Sequence, residues 1–395
     1  MVIQLSKVVV GLFEDVDYGL LNPLSLLRPV YEIRNGMLSN RERLEKVFRG
    51  RKYCLFTRDY LSSLLKWKLN IIMNREDIYV NELVKGCDVL LINGRVLLNE
   101  FLVKSLRDLL EVDGSVVGLS NSDVVALRLT SDVAEKFKLV LMRPFHLELL
   151  SDLEGKADII EINAELVEDP MDFLTVLSEQ LEFDFKLTNV KRELAHVRSE
   201  VHKNAVLDET EGSVVISRSS KLSNSVIRGP LFIGENSMVT GSDITRAVVG
   251  SNCRIMNSVV KDSIIMDNVT IHGGTYINKA IIGSWSKVMP SACLCGELIK
   301  RHEWKREGEY VTIGDYCTIG PGAVIYPGVS VGAFSSVHGV CESKVGSFEL
   351  TLNSIRRKLP LKDIIELVQS RVREVNKFIS DYELNVIRKV YGELS

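Results

Sequence analysis

Two adjacent carboxylates, Glu14 and Asp15, follow directly on the apolar run Val8–Phe13, which ends in Phe13. In an open α/β sheet, residues leaving the carboxyl end of a strand sit where ligands bind. The pair is placed to accept hydrogen bonds from a base or a sugar, or to chelate a metal ion, with Asp15 the candidate ligand. A plain polar turn would use the same two residues. Arg28 precedes Pro29, which disfavours helix and holds it extended or in a turn. Its guanidinium suits a phosphate or, equally, an ion pair with Glu32 or Asp15. Asn93-Gly94-Arg95 closes a second apolar run, 89–92. Asn-Gly by itself reads as a hairpin turn, with Arg95 a further candidate cation. Three lone histidines, His272, His302 and His338, are the candidates for a general base, although a lone histidine is more often a surface or turn residue.

The elements that must position these groups follow from pattern. Residues 1–190 alternate short apolar runs with helical stretches, which predicts an α/β, Rossmann-like domain. Strands are expected at Val8–Phe13, 52–57, 89–92 and 116–119, and helices around 61–69 and 99–110. Between the first two strands, Ser39-Asn40-Arg41-Glu42 is a capping box. Its serine oxygen and its glutamate carboxylate can each take a free backbone amide at a helix start.

From Ile227 onward an aliphatic residue recurs every five or six positions: Ile233, Val239, Ile244, Val249, Ile255, Val260, Ile265, Ile271, Ile277, Ile282 and Val288. The series resumes at Ile313, Ile319, Ile325, Val331 and Val337. Neither a helix nor a strand has that period; the hexapeptide repeat of a parallel β-helix does, three steps making one triangular coil. Small residues (Cys317, Ala323, Val329, Ser335) lie four positions after a corner, where a second inward contact needs low volume. Glycine follows the corner at 314, 320 and 332, the expected place of a tight turn. The division expected is 1–190, an α/β domain; 191–345, a left-handed β-helix; and 346–395, a helical tail. The charged stretch 289–312 breaks the register and is expected to leave the coil as an external loop. In the tail, Ile364, Ile365, Leu367, Val368, Val372, Val375, Phe378 and Ile379 form one helical stripe. It is expected to pack on the β-helix or on a neighbouring subunit.

Net charge is −3 with both signs interspersed, which argues against a nucleic-acid surface. The apolar N-terminus is too short to span a membrane and is interrupted by Gln4 and Lys7. Seven scattered cysteines without metal-ligand spacing read as reduced thiols of a cytoplasmic protein.

The opening of the chain resembles the sugar-1-phosphate nucleotidyltransferases. It is most similar to a divergent branch with a Phe-Asp-Asp, Leu-Pro-Leu-Thr, Arg-Pro-Val, Glu-Leu-Arg series. The matching residues here are Phe13-Glu14-Asp15, Asn22-Pro23-Leu24-Ser25, Arg28-Pro29-Val30 and Glu32-Ile33-Arg34. Asp88 to Arg95 resembles that family's second strand and turn, and Arg143-Pro144-Phe145 with Leu147 its Arg-Pro-Trp-Asp-Leu segment. A nucleotidyltransferase domain before a left-handed β-helix is also the pairing of bifunctional N-acetylglucosamine-1-phosphate uridyltransferase/acetyltransferases. The resemblance implies a nucleotide and a sugar phosphate as partners, Mg²⁺ as cofactor and a homotrimer. It implies Arg28 and Arg34 on phosphate charge, and Phe13, Glu14, Asp15, Asn93 and Arg95 around nucleotide or sugar. For the β-helix it implies acyl transfer from acetyl-CoA, with His338 or His302 as base. The chain departs from the standard pattern in one loop: Glu14 to Leu20 carries one glycine and three carboxylates where a glycine-rich loop is usual. Leu20 takes that loop's arginine position, Val30 the usual lysine, and Arg95 the position of a metal-holding aspartate.

Overall fold

Period-two alternation lays Val10 and Leu12 of strand β1 (Val8–Phe13) against one core, and Val9 and Phe13 against another. The computed structural model describes residues 8–394 apart from 147, 149–150, 152, 154, 190–199, 202–203, 218, 297–309 and 354. The first sheet comprises β1, β2 (Tyr53–Leu55), β3 (Ile78–Val80), β4 (Asp88–Asn93), β5 (Val116–Ser120), β6 (Asp123–Leu129) and β7 (Asp158–Glu161), in the order β3-β2-β1-β4-β6-β5-β7. Strands β3, β2, β1 and β4 run parallel, and β6 is antiparallel to its neighbours. The chain leaves β1 for β2 on one side and reaches β4 on the other, so the strand order reverses between β1 and β4. The expected capping box opens helix α1 (Asn40–Val47). Helices α2 (Asp59–Lys66), α3 (Glu100–Leu110), α4 (Ser131–Leu141), α5 (Pro170–Thr175) and α6 (Leu177–Leu187) complete the domain. A π-helical turn, Trp67–Ile72, extends α2.

The second domain is a left-handed parallel β-helix. Asp243 pairs with Val259 and Val259 with Tyr276, so one coil takes 16 or 17 residues. All seventeen aliphatic corners read from the sequence are fully buried in one interior cluster. Pairing starts earlier and ends later than the repeat suggested, from Glu200–Val201 to Glu349–Leu352, which folds back on Ile355–Lys358. The excursion is shorter than expected. Cys293–Cys295 stays on the ladder with Leu294 buried inside, and Val311–Ile313 rejoins it. Only 297–309 lies outside the described residues. The glycines at 314, 320 and 332 serve coil stacking rather than a left-handed backbone. A Cβ on them would lie 2.7 Å from Ala333 N, 2.4 Å from His338 Nδ1 and 2.3 Å from Ser347 N.

Left-handed backbone falls at other corners. One is lined by Asn236, Asn252 and Asn268, then by Trp285, Tyr316, Phe334 and Phe348, with φ between 56° and 64°. Asparagine enters this region readily; a bulky side chain there costs about 1–2 kcal/mol. The four rings offset that by stacking at 5.9, 5.2 and 5.1 Å, and by burial worth about 1.5–3 kcal/mol per ring. The cover over the last three is the tail, which forms two helices, α7 (Leu361–Arg373) and α8 (Asp381–Leu394), rather than one stripe. Ile364, Val368 and Val372 pack on the rings together with Leu61 and Leu64 of α2, and Phe378, between the helices, is 91% exposed. Tyr391 of α8 meets Phe348 edge-on at 5.0 Å. On a neighbouring face of the β-helix, Phe232, Val248, Ile264 and Ile281 point outward and join the core under α5 and α6.

Phe348→Ala should therefore destabilise the chain by about 3–5 kcal/mol and selectively expose the amides of α7 and α8. Hydrogen exchange checks this; unchanged protection of 361–394 would show that the ring does not anchor the tail.

Candidate functional site

Glu14, at the carboxyl end of β1, is 2% exposed. Its carboxylate accepts from Val30 N (3.0 Å), Thr57 Oγ1 (2.7 Å), Arg58 N (3.1 Å) and, bidentately, from Arg58 Nε and Nη2 (3.1 Å each). Arg58 also donates to the carbonyls of Ser25 (2.7 Å) and Arg28 (2.8 Å), and lies 4.1 Å from the Tyr18 ring centroid. Burial works against its charge, but Glu14 together with Tyr60 and Tyr18 outweighs burial and holds its pKa above the ordinary value. The loop with one glycine and three carboxylates is thus pinned to the segment after the second strand by Arg58, which the sequence pattern does not single out. The only local hint is its place, between β2 and α2.

One residue on, Asp15 turns to the other neighbour of β1. Its oxygens accept from Arg95 Nε (2.9 and 3.0 Å), Arg95 Nη2 (2.7 Å) and Asn93 Nδ2 (2.7 Å). Arg95 is buried, its Nη1 donates to Val167 O at 3.0 Å, and its Nη2 also faces Asp17 at 3.2 Å and Asp123 at 3.5 Å. The side chains of Asp17 and Asp123 are 46% and 31% exposed. Desolvation disfavours the guanidinium, and the hydrogen bonds and charge of Asp15 overcome it, so its pKa is raised. Gly94 is not a hairpin residue as the Asn-Gly pair suggested, since its backbone is not left-handed. It is needed because a Cβ would lie 2.7 Å from Val30 and 3.0 Å from Tyr31. Phe13 packs edge-on against Phe145 at 5.5 Å, and Phe145 bridges to Asp15 through backbone bonds. Leu147 lies outside the described residues.

The other two candidate arginines face away from this cluster. Arg28 pairs with neither Glu32 nor Asp15. It reaches the β-helix, donating to Asp315 at 2.5 Å and to Ser284 at 3.4 Å. Glu32 is taken by Arg41. Arg34 donates to the Met37 carbonyl and stands 4.0 Å from Asp267 of the β-helix. Behind it, Arg43 and Asp184 form a fully buried bidentate pair at 2.7 and 2.8 Å. Asp184 also accepts from Leu38 N, fixing segment 35–38.

Of the histidines, His338 ends strand Ser336–His338, its Nε2 is 2.9 Å from Ser336 Oγ, and its ring covers Gly320. His272 is half-buried directly after strand Thr270–Ile271, and its backbone N–H donates to the Val288 carbonyl at 2.9 Å. His302 lies outside the described residues.

The residues do not fit a divalent cation. Mg²⁺ needs oxygen ligands at about 2.0–2.1 Å in octahedral array, and both oxygens of Asp15 already face a guanidinium and an amide. Among the described residues no group of three or more His, Cys, Asp or Glu is placed to hold a metal.

Residues 10–193 match the model of the sugar nucleotidyl transferase family, and residues 218–297 match that of the GlmU-like C-terminal hexapeptide. No curated protein matches the chain. Among solved structures, the chain is similar to the polySia-specific acetyltransferase NeuO, at 14% identity over 45% of this chain and 96% of that one, with a TM-score of 0.33. It is similar also to LpxA from Acinetobacter baumannii, at 12% identity over 50% of this chain and 91% of that one, with a TM-score of 0.32. The β-helix stands on its own strand ladder rather than on these overlays.

A pH test follows from the first turn of α1. Burial opposes the charge of Glu42, but Arg34, Arg41, the Ser39 N–H and Arg43 together hold its carboxyl below the ordinary value. A depressed folded-state pKa contributes stability above the unfolded value and loses it as pH falls through the folded one. Glu42→Gln should therefore flatten the acid limb of the urea midpoint plotted against pH. An acid limb as steep as that of the parent would refute this role.

Proposed function

We propose that this chain, a sugar nucleotidyltransferase-like domain mounted on a hexapeptide β-helix, takes a nucleotide sugar or its precursors into the crevice at the carboxyl ends of β1 and β4. The observation that carries the reading is the meeting of Asp15 from β1 with Asn93 and Arg95 from β4 where the strand order reverses. Ligands of open α/β sheets bind at that switch point. Asp17 and Asp123 stand at its mouth with lone pairs open to solvent, and carboxylates there accept hydrogen bonds from sugar hydroxyls.

Synthesis would have an oxygen of the sugar 1-phosphate attack the α-phosphorus of a nucleoside triphosphate, with pyrophosphate leaving. The charge on the transferring phosphoryl oxygens needs cations, and Arg28 and Arg34 are the proposed ones, although in this structure both turn toward the β-helix. Both are engaged by β-helix aspartates, so recognition is the part of the function that the geometry favours most.

The assembly we propose is a homotrimer through the β-helix. Its ladder stacks the outward residues Val206, Val226, Val259, Tyr276, Cys293, Val324 and Val340, interrupted by Asp243. Val206, Tyr276 and Val340 are 56%, 37% and 46% exposed. An apolar column of this kind, broken once by Asp243, supports that interface. The buried thiols of Cys54, Cys253 and Cys317, pushed by burial up to about 12, suit a cytoplasmic setting.

A thermal-shift and calorimetry panel of nucleotide sugars, nucleoside triphosphates and acetyl-CoA tests the reading. A nucleotide sugar at 100 times its Kd should stabilise the fold by about 2.7 kcal/mol. Asp17→Asn with Asp123→Asn should weaken it by about tenfold, the loss of about 1.4 kcal/mol of hydrogen bonding. If no nucleotide or nucleotide sugar shifts the melting temperature, the reading fails.

A further inference from the structure

The crevice between β1 and β4 has a cation of its own. Arg95 Nη2 lies 2.7 Å from Asp15, 3.2 Å from Asp17 and 3.5 Å from Asp123, a constellation in which one positive centre faces three carboxylates. A bound divalent ion would offset the same negative charge. A guanidinium stays protonated throughout the physiological range, so the charge is permanent and needs no loading.

The side chain is also locked in place. Nε is shared by both Asp15 oxygens, Nη1 is held by the Val167 carbonyl, and the backbone N–H of Arg95 donates to Asn93 Oδ1 at 2.9 Å. Asn93 in turn donates to Asp15 and to Val124 O, so the acid is fixed from two sides. A metal ion could reach Asp15 only by displacing a group that is 1% exposed at its side chain. Displacement would leave that guanidinium buried and unpaired, which is strongly unfavourable. The guanidinium differs from Mg²⁺ in one respect that bears on the ligand: it donates hydrogen bonds in a fixed plane and offers no open coordination position. What remains for a ligand is the outer side of Asp17 and Asp123, whose oxygens accept from hydroxyl groups.

We propose that Arg95 stands in the place of a divalent cation, so that this crevice receives the hydroxyl-bearing part of its ligand without metal. The inference rests on the reading of the crevice as a nucleotide-sugar site, and its test separates the two.

The full-length protein is titrated with Mn²⁺ alone and followed by electron paramagnetic resonance. The nucleotide sugar that gives the largest thermal shift is then titrated in Mg²⁺ and in EDTA. Wild type should leave Mn²⁺ free, and the two affinities should agree within about twofold, a difference of about 0.4 kcal/mol. Arg95→Gln, which removes the positive charge beside Asp15, Asp17 and Asp123, should gain weak Mn²⁺ binding, and Asp15→Asn on that background should remove it again. Mn²⁺ uptake by wild type that Asp15→Asn abolishes would overturn the inference. So would a loss of about tenfold or more in affinity on adding EDTA. The Mn²⁺ titration decides the matter even if no nucleotide sugar binds, an outcome that would sink the functional reading alone. It also decides the matter if Arg95→Gln does not fold.

Discussion

Everything at the head of the first sheet hangs on the bidentate pair between Arg58 and Glu14. A carboxylate buried at the end of a central strand is tolerable only if its charge and lone pairs are met, and Arg58, the Thr57 hydroxyl and two backbone amides meet them. The same guanidinium holds the carbonyls of Ser25 and Arg28. The segment that carries Arg28 is thereby set at the height from which its side chain reaches Asp315. Sheet, loop and β-helix are joined through one planar cation, whose fork geometry a lysine could not reproduce.

The two halves of the site differ in how much freedom they leave. Glu14 is closed in on every side and acts on the backbone around it. Asp15, Asn93 and Arg95 are also fixed, but Asp17 and Asp123 border solvent. Acceptors held rigidly around an internal cation contrast with the backbone amides that a glycine-rich loop presents to an anion. The composition of this loop is therefore coherent: its carboxylates Glu14 and Asp15 are neutralised by Arg58, which follows β2, and Arg95, which follows β4.

Local pattern revealed most of the skeleton. The bounds of β1, the capping box at Ser39 and Glu42, and every aliphatic corner from Ile227 to Val337 were legible because each depends on neighbours a few positions away. Arg58 was not, because its partner lies 44 positions back in a strand that pairs only after folding. The partner of Arg28 was hidden for the same reason, at a separation of 287. Leu294 escaped notice because the charged stretch after it obscures the repeat, although Cys293–Cys295 keeps the ladder. The tail was read as one stripe because Val375 and Ile379 keep helical spacing through a segment where the chain in fact turns.

The docking of the two domains has a consequence for how such a chain can grow. Asp267, Ser284 and Asp315 occupy the same position of three successive coils. Adjacent strands are about 4.8 Å apart, so the two aspartates lie roughly 10 Å from one another along the solenoid axis. Arg34 and Arg28, six residues apart in the first domain, address those two rungs. The β-helix thus serves as a ruler graduated in whole coils. A coil added between the rungs of Asp267 and Asp315 would put the two arginines out of step. Coil number is locked wherever the first domain and the tail grip the rod, from Phe232 beneath α6 to Phe348 beneath α7.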